Sequence, residues 1–353
     1  MPLRNYLLAL FLLFTGALYA QVDLPTGKAT FNLPLFSYDD GERLSTFIML
    51  NYTGGGGIKN NEVPTSVGLG WELQAGGSII RSTVGEPDDQ KGGVYGGIRY
   101  ADGYLYSPYN MASAIPAKAA WIPLFTTQVN SYRPDSSIIA DREMDIFVFR
   151  FGNKSGSFTI TKDGYIFPMT NSNLRIEKTE TDMTSNNIIT RINGFIITDE
   201  NGVKYKFSGI ETSKIITYEK GNQVTTSTGQ KLLYQNKNIS PYSVVTSWLL
   251  TEIVDPFTNH RITFNYSDYS ISYVSGYEGI YTTVSAPTYA ADVSTQTIQH
   301  WFSGTKKRLN NISFSHSATT IDFIYNDNEM ADLPGEKALK QVLVKNNGNS
   351  VSG

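Results

Sequence analysis

Three histidines, His260, His300 and His316, are the chain's only imidazoles, and there is no cysteine in its 353 residues. None of the three lies in an HExxH pattern or has a second histidine at ligand spacing, so a zinc site is not expected. His260 falls in a hairpin turn and His316 at a strand end, both places for a solvated or capping role. There is no GxSxG elbow, and the lack of cysteine removes a thiol nucleophile. Carboxylates gather at Glu86, Asp88 and Asp89, at Asp141, Glu143 and Asp145, and at Asp327, Glu329 and Asp332. Loop carboxylates bind calcium when six to eight oxygens converge, but none of these runs has EF-hand spacing. Calcium therefore competes with solvated turn acids as their reading. Paired-carboxylate glycoside hydrolysis lacks a supporting flanking pattern. The glycines at 54–57 lack the Lys-Ser/Thr pair of a phosphate loop and read as a hairpin tip.

The elements that would position these groups are strands. Aromatic residues make up 12% of the chain, with 22 Tyr and 18 Phe, a composition that favours sheet over helix. Residues 145–151 (DIFVFRF) alternate, with Phe147, Phe149 and Phe151 on one face and Ile146, Val148 and Arg150 on the other. A Gly-Asn-Lys-Ser-Gly turn returns this strand into residues 157–161. Three further hairpins follow the same logic, at 195–207, 248–266 and 309–325. They recur without a fixed period, which excludes a regular propeller or solenoid. The expected fold is all-β, built of antiparallel hairpins and meanders in sandwich- or shell-like sheets, with at most one or two short helices. Residues 111–120 are the best helical candidate, interrupted by Pro116. Residues 22–35 read as turn residues alternating with short apolar pieces.

Residues 1–20 have the three parts of a secretory signal: Arg4, an apolar core at 6–14, and small residues up to Ala20. The mature chain is then exported, to the cell surface, periplasm or medium, and carries no membrane-spanning segment. A net charge of −3 without a basic run argues against a nucleic-acid surface. Residues 21–140 form an N-terminal β module with an irregular Tyr/Gly-rich insertion near 90–140, and residues 141–353 form the hairpin region. Trp121, Tyr104 and Tyr106 of the insertion offer flat faces that could stack on sugar rings, against the alternative of strand-edge packing. At the far end, residues 339–345 read as a strand and 346–349 as a turn. The return strand is expected to be missing, leaving an unpaired edge and a truncated domain.

The stretch 67–89 (VGLGWELQAGGSIIRSTVGEPDD) is the most distinctive. Its glycines read as backbone devices: a turn at Gly68 and Gly70, then a bulge or tight bend at Gly76 and Gly77. Trp71 is expected as a buried anchor, and a strand through Ile79, Ile80 and Arg81 is closed by Pro87 and an acidic pair. With residues 27–35, 44–52, 145–158, 197–207 and 247–266, this block resembles the N-terminal region of secreted Bacteroidetes-type RHS/YD-repeat proteins. Their opening module is related to that of SpvB-like and insecticidal toxin-complex proteins. The resemblance implies a β-rich exported protein attached to a shell of YD repeats that encloses a variable, often toxic, cargo. A run of YD repeats and a cargo domain are both lacking here, so toxin activity and autoproteolysis do not carry over. The resulting expectation is a non-catalytic structural or interaction module. Its partner would be the rest of an RHS/YD-type polypeptide or another surface protein. The alternative is a secreted carbohydrate-binding or carbohydrate-active β-protein using exposed Tyr and Trp.

Overall fold

A computed structural model describes residues 21–23, 28–54, 62–95, 98–100, 102–106, 141, 143–170, 173–221, 235–238, 242–283 and 293–352. The fold is all-β with antiparallel sheets. Among the described residues the only helical piece is a single 3-10 turn, Thr184–Asn186. The signal segment and the helical candidate at 111–120 lie outside the described residues. No helix among the described residues is long and apolar enough to cross a membrane.

The first sheet has four strands in chain order: β1 (Gln21–Asp23), β2 (Lys28–Asp39), β3 (Ser45–Thr53) and β4 (Trp71–Ala75). Residues 28–39 thus form one twelve-residue strand rather than broken pieces. Pro34 is accommodated next to a register shift against β3, where a missing amide costs the ladder least. The turn at 40–43 is tied by Asp39 and Asp40, whose carboxylates accept the amides of Gly41, Glu42 and Leu44.

Gly76 is where the chain leaves this sheet, with φ +91°. A side chain there would press on the Phe264 ring, and one on Gly77 would lie 2.4 Å from Phe151 Cβ. The expected bend is therefore a sheet-to-sheet corner. Beyond it, β5 (Gly77–Ser82) enters a fourteen-stranded sheet. There it lies between β8 (Ile146–Phe151) and β15 (Val244–Val254). A separate two-stranded ribbon pairs β6 (Gly93–Tyr95) with β7 (Ile98–Tyr100).

The four anticipated hairpins form. β8 turns into β9 (Lys154–Ile160), and β12 (Ile192–Thr198) turns into β13 (Lys204–Gly221). β15 returns as β16 (Arg261–Thr283), and β17 (Val293–Phe314) returns as β18 (Thr319–Met330). The strands run further than expected: β16 and β17 pair along nearly their whole length as one ribbon. β19 (Leu333–Asn346) is likewise not an unpaired edge. Asn347 (φ +50°) and Gly348 (φ +79°) make a tight turn, and β20 (Asn349–Ser352) pairs back on β19.

The core sits between the Phe face of β8 and the residues facing it. Phe147, Phe149 and Phe151 are buried while Val148 and Arg150 are exposed, as the alternation requires. Phe147 stacks on Phe158 and Phe195 meets Trp248 edge-on. Trp248 is fully buried, and its indole N–H donates to Ile192 O at 3.1 Å. Trp71, expected as the anchor, is only half-buried and packs against Phe31 and Tyr52 of the small sheet. The first sheet caps the second, with Tyr38 stacked on Phe314 at 3.9 Å between ring centres.

Candidate functional site

Arg81, in the second strand of the distinctive block, organises a buried charge cluster. It lies on the inner face of β5, two residues after the buried Ile79, while Ile80 points outward. Its cross-strand neighbour is Phe147, and its guanidinium lies 5.4 Å from the Phe147 ring centre and 5.1 Å from that of Trp248. Two carboxylates complete the environment: Asp89 Oδ1 at 2.7 Å and Asp145 Oδ2 at 3.6 Å from guanidinium nitrogens. All three side chains are closed to solvent. Arginine suits this position because its flat, weakly hydrated cation both stacks on aromatic faces and pairs with carboxylates.

Asp88, Asp89 and Asp145 also accept backbone amides. Asp88 Oδ2 takes the Asp145 amide at 3.0 Å, and Asp145 Oδ2 takes the Asp88 amide at 2.9 Å. Asp145 Oδ1 takes the Val84 amide, and Asp89 Oδ2 takes the amides of Arg191 and Ile192. The loop after β5, the start of β8 and the start of β12 are thereby tied at one point. Burial, followed by repulsion from Asp145, pushes the Asp88 carboxyl up to about 8. Asp145 is also raised, because burial outweighs the help of Arg81 and the amides. Two runs considered for calcium, at 86–89 and 141–145, thus converge here, with Asp141 accepting the amides of Glu86 and Glu143. A guanidinium takes the central place a cation would need. The third run, around Asp327 and Asp332, is exposed.

The glycines of the block sit where the backbone or a close neighbour leaves little room for a side chain. Gly68 (φ +109°) and Gly70 (φ +74°) have left-handed backbone, and a Cβ on Gly70 would lie 2.9 Å from the Tyr52 ring. Of the aromatic residues considered for sugar stacking, Tyr104 is buried at 8% exposure, with Lys162 over its ring and donating to its carbonyl. That removes it as an open face, because its loop folds onto the Asp88 segment through the Leu105 amide. Tyr106 is half-buried, and Trp121 lies outside the described residues.

An accessible site lies elsewhere, in a cleft of about 650 Å³ between the β4–β5 corner and the β16–β17 ribbon. Tyr269, Tyr273, Phe302 and Tyr325 supply aromatic walls, with Tyr273 and Phe302 stacked at 5.1 Å. Its charges are paired. Glu211 accepts from Lys306 Nζ, the Lys307 amide and Ser247 Oγ, at 3.0, 3.0 and 2.6 Å. Arg308 binds Glu336 at 3.2 Å and lies over the Tyr269 ring at 4.2 Å, while Tyr269 donates to Glu336. Burial and the neighbouring Glu336 raise the Tyr269 phenol well above its usual value, so it stays a donor. This arrangement suits recognition of a polar ligand with flat faces. Sequence reasoning missed it because its walls come from several strands that only long-range pairing brings together; the tyrosines Tyr266, Tyr269 and Tyr273 were the available signal. No family model matches the chain, and neither a curated protein nor a solved structure matches it.

Proposed function

We propose that the chain is a non-catalytic structural and interaction module of an exported protein of the RHS/YD-repeat type. The observation that carries this reading is the use made of the 67–89 block. Its Arg81, Asp88 and Asp89 are buried, with Arg81 paired to Asp89 and both aspartates accepting backbone amides, so these polar groups hold loops rather than meet a substrate. The partner is the remainder of an RHS/YD-type polypeptide or another surface protein, and the aromatic cleft is the face on offer. Residues 21–353 should bind a YD-repeat polypeptide in a pull-down and lose it on Lys307→Glu, which reverses a charge in the cleft wall. Turnover of a polysaccharide or peptide substrate that disappears in Glu211→Gln or Glu336→Gln would overturn the non-catalytic reading.

A second reading is favoured by the aromatic walls of the same cleft: binding of a glycan, with Tyr273 and Phe302 as stacking faces. A glycan array probed with the wild-type chain and with Tyr273→Ala separates the two. Binding that the substitution abolishes supports the glycan, and an array without signal removes it.

A further inference from the structure

Away from the cleft, three turns meet at one corner. They are residues 40–43 between β2 and β3, 255–260 between β15 and β16, and 315–318 between β17 and β18. His260 Nδ1 faces Asp40 Oδ2 at 3.3 Å and Glu42 Oε2 at 4.0 Å, and the three donor atoms all lie within 4.8 Å of one another. The His316 ring stacks on that of His260, with centres 4.0 Å apart and planes 18° from parallel.

We propose that His260 Nδ1, Asp40 Oδ2 and Glu42 Oε2 form a binding site for a divalent transition-metal ion of the Zn²⁺ class. Bonds of about 2.0–2.2 Å in a tetrahedral site put neighbouring ligand atoms roughly 3.4 Å apart. The separations of 3.3 and 4.0 Å need only a small movement of Glu42, whose side chain is half-exposed. Asp40 is held for the task. Its Oδ1 accepts the amides of Glu42 and Leu44, at 2.9 and 3.0 Å, which leaves Oδ2 turned to the imidazole. The Asp40 side chain is nearly closed to solvent, the His260 ring is 18% exposed and Glu42 is half-exposed, so the site opens to solvent at Glu42. One imidazole with two carboxylates favours Zn²⁺, Cu²⁺ or Ni²⁺ over Mg²⁺ and Ca²⁺, which want more oxygens. His316 supports the plane of the His260 ring and fixes the direction of Nδ1. The ion would bind the first sheet to the second, because Asp40 and Glu42 belong to one and His260 to the other.

The test is calorimetric titration of the chelator-treated chain with Zn²⁺, alongside thermal unfolding. One equivalent of Zn²⁺ should bind and raise Tm, and Ca²⁺ should do neither. His260→Ala and Glu42→Gln should each weaken Zn²⁺ binding by about tenfold or more. Glu42→Gln alters an exposed side chain, so its Tm without metal should match the wild type. Absence of saturable Zn²⁺ binding, an equal response to Ca²⁺, or affinity unchanged in both variants would overturn the proposal. None of these outcomes depends on the role of the cleft.

Discussion

The Arg81 cluster and the Asp40–His260 corner both gather carboxylates around a nitrogen base, yet they differ in what surrounds them. Around Arg81 the neighbours are aromatic rings and backbone amides, and water is excluded. At the corner the carboxylates sit on a turn, with Glu42 half-open to solvent. The difference appears in the direction of their proton affinities. Burial drives Asp88 up to about 8, whereas Asp40 stays below its ordinary value. For Asp40, burial pushes upward, but the Glu42 and Leu44 amides and His260 together outweigh it. The same residue type is a neutral spacer in one place and a fixed anion in the other.

Removing the cation should break this comparison most severely. Arg81→Ala leaves Asp89 and Asp145 buried without their partner and should cost about 3–5 kcal/mol, read from the urea midpoint. A loss under about 1 kcal/mol would mean that the amides alone satisfy those carboxylates. The next effect is on pH. A folded value near 8 against an ordinary 3.8 means that the native state holds a proton the unfolded chain has released. Stability from Asp88 is therefore fully present below pH 3.8 and declines as pH rises towards 8. Asp88→Asn mimics the protonated acid and should flatten that decline by up to about 1.4 kcal/mol per pH unit. Unchanged slopes in denaturation series from pH 5 to 8 would show that Asp88 ionises freely. Asp40 has the opposite sign: its contribution is present above the unfolded value and lost as pH falls through the lower folded one. Asp40→Ala should cost about 1–2 kcal/mol at pH 7 through two lost turn bonds, and the penalty should vanish in acid.

Local pattern was readable where local physics decides. The alternation of residues 145–151 placed each Phe on the buried face, and Asn347-Gly348 named a turn needing left-handed backbone at both positions. Trp71 and Trp248 show the limit. Both sit in apolar strands, but Trp71 belongs to a four-stranded sheet too small to cover it, while Trp248 lies in the middle of the large sheet. Nothing local separates the two. Residues 28–39 were hidden by Pro34 and a glycine-flanked start, which pairing with β3 overrides. Asp89 lies in the same block as Arg81, but Asp145 and the carboxylates facing His260 come from distant segments, so motif spacing revealed neither cluster.

The place of β5 has a consequence in time. Its neighbours on either side are strands that begin at residues 146 and 244. With the N-terminal part delivered first, Ile80 is present well before its partner Ser247. Throughout that interval β5 has an open edge in the middle of the future sheet, and closing it requires one of the longest loops in the chain. Assembly of the large sheet is therefore a late event, gated by delivery of β15. Conditions that slow that delivery should favour mispairing at β5 before any other strand.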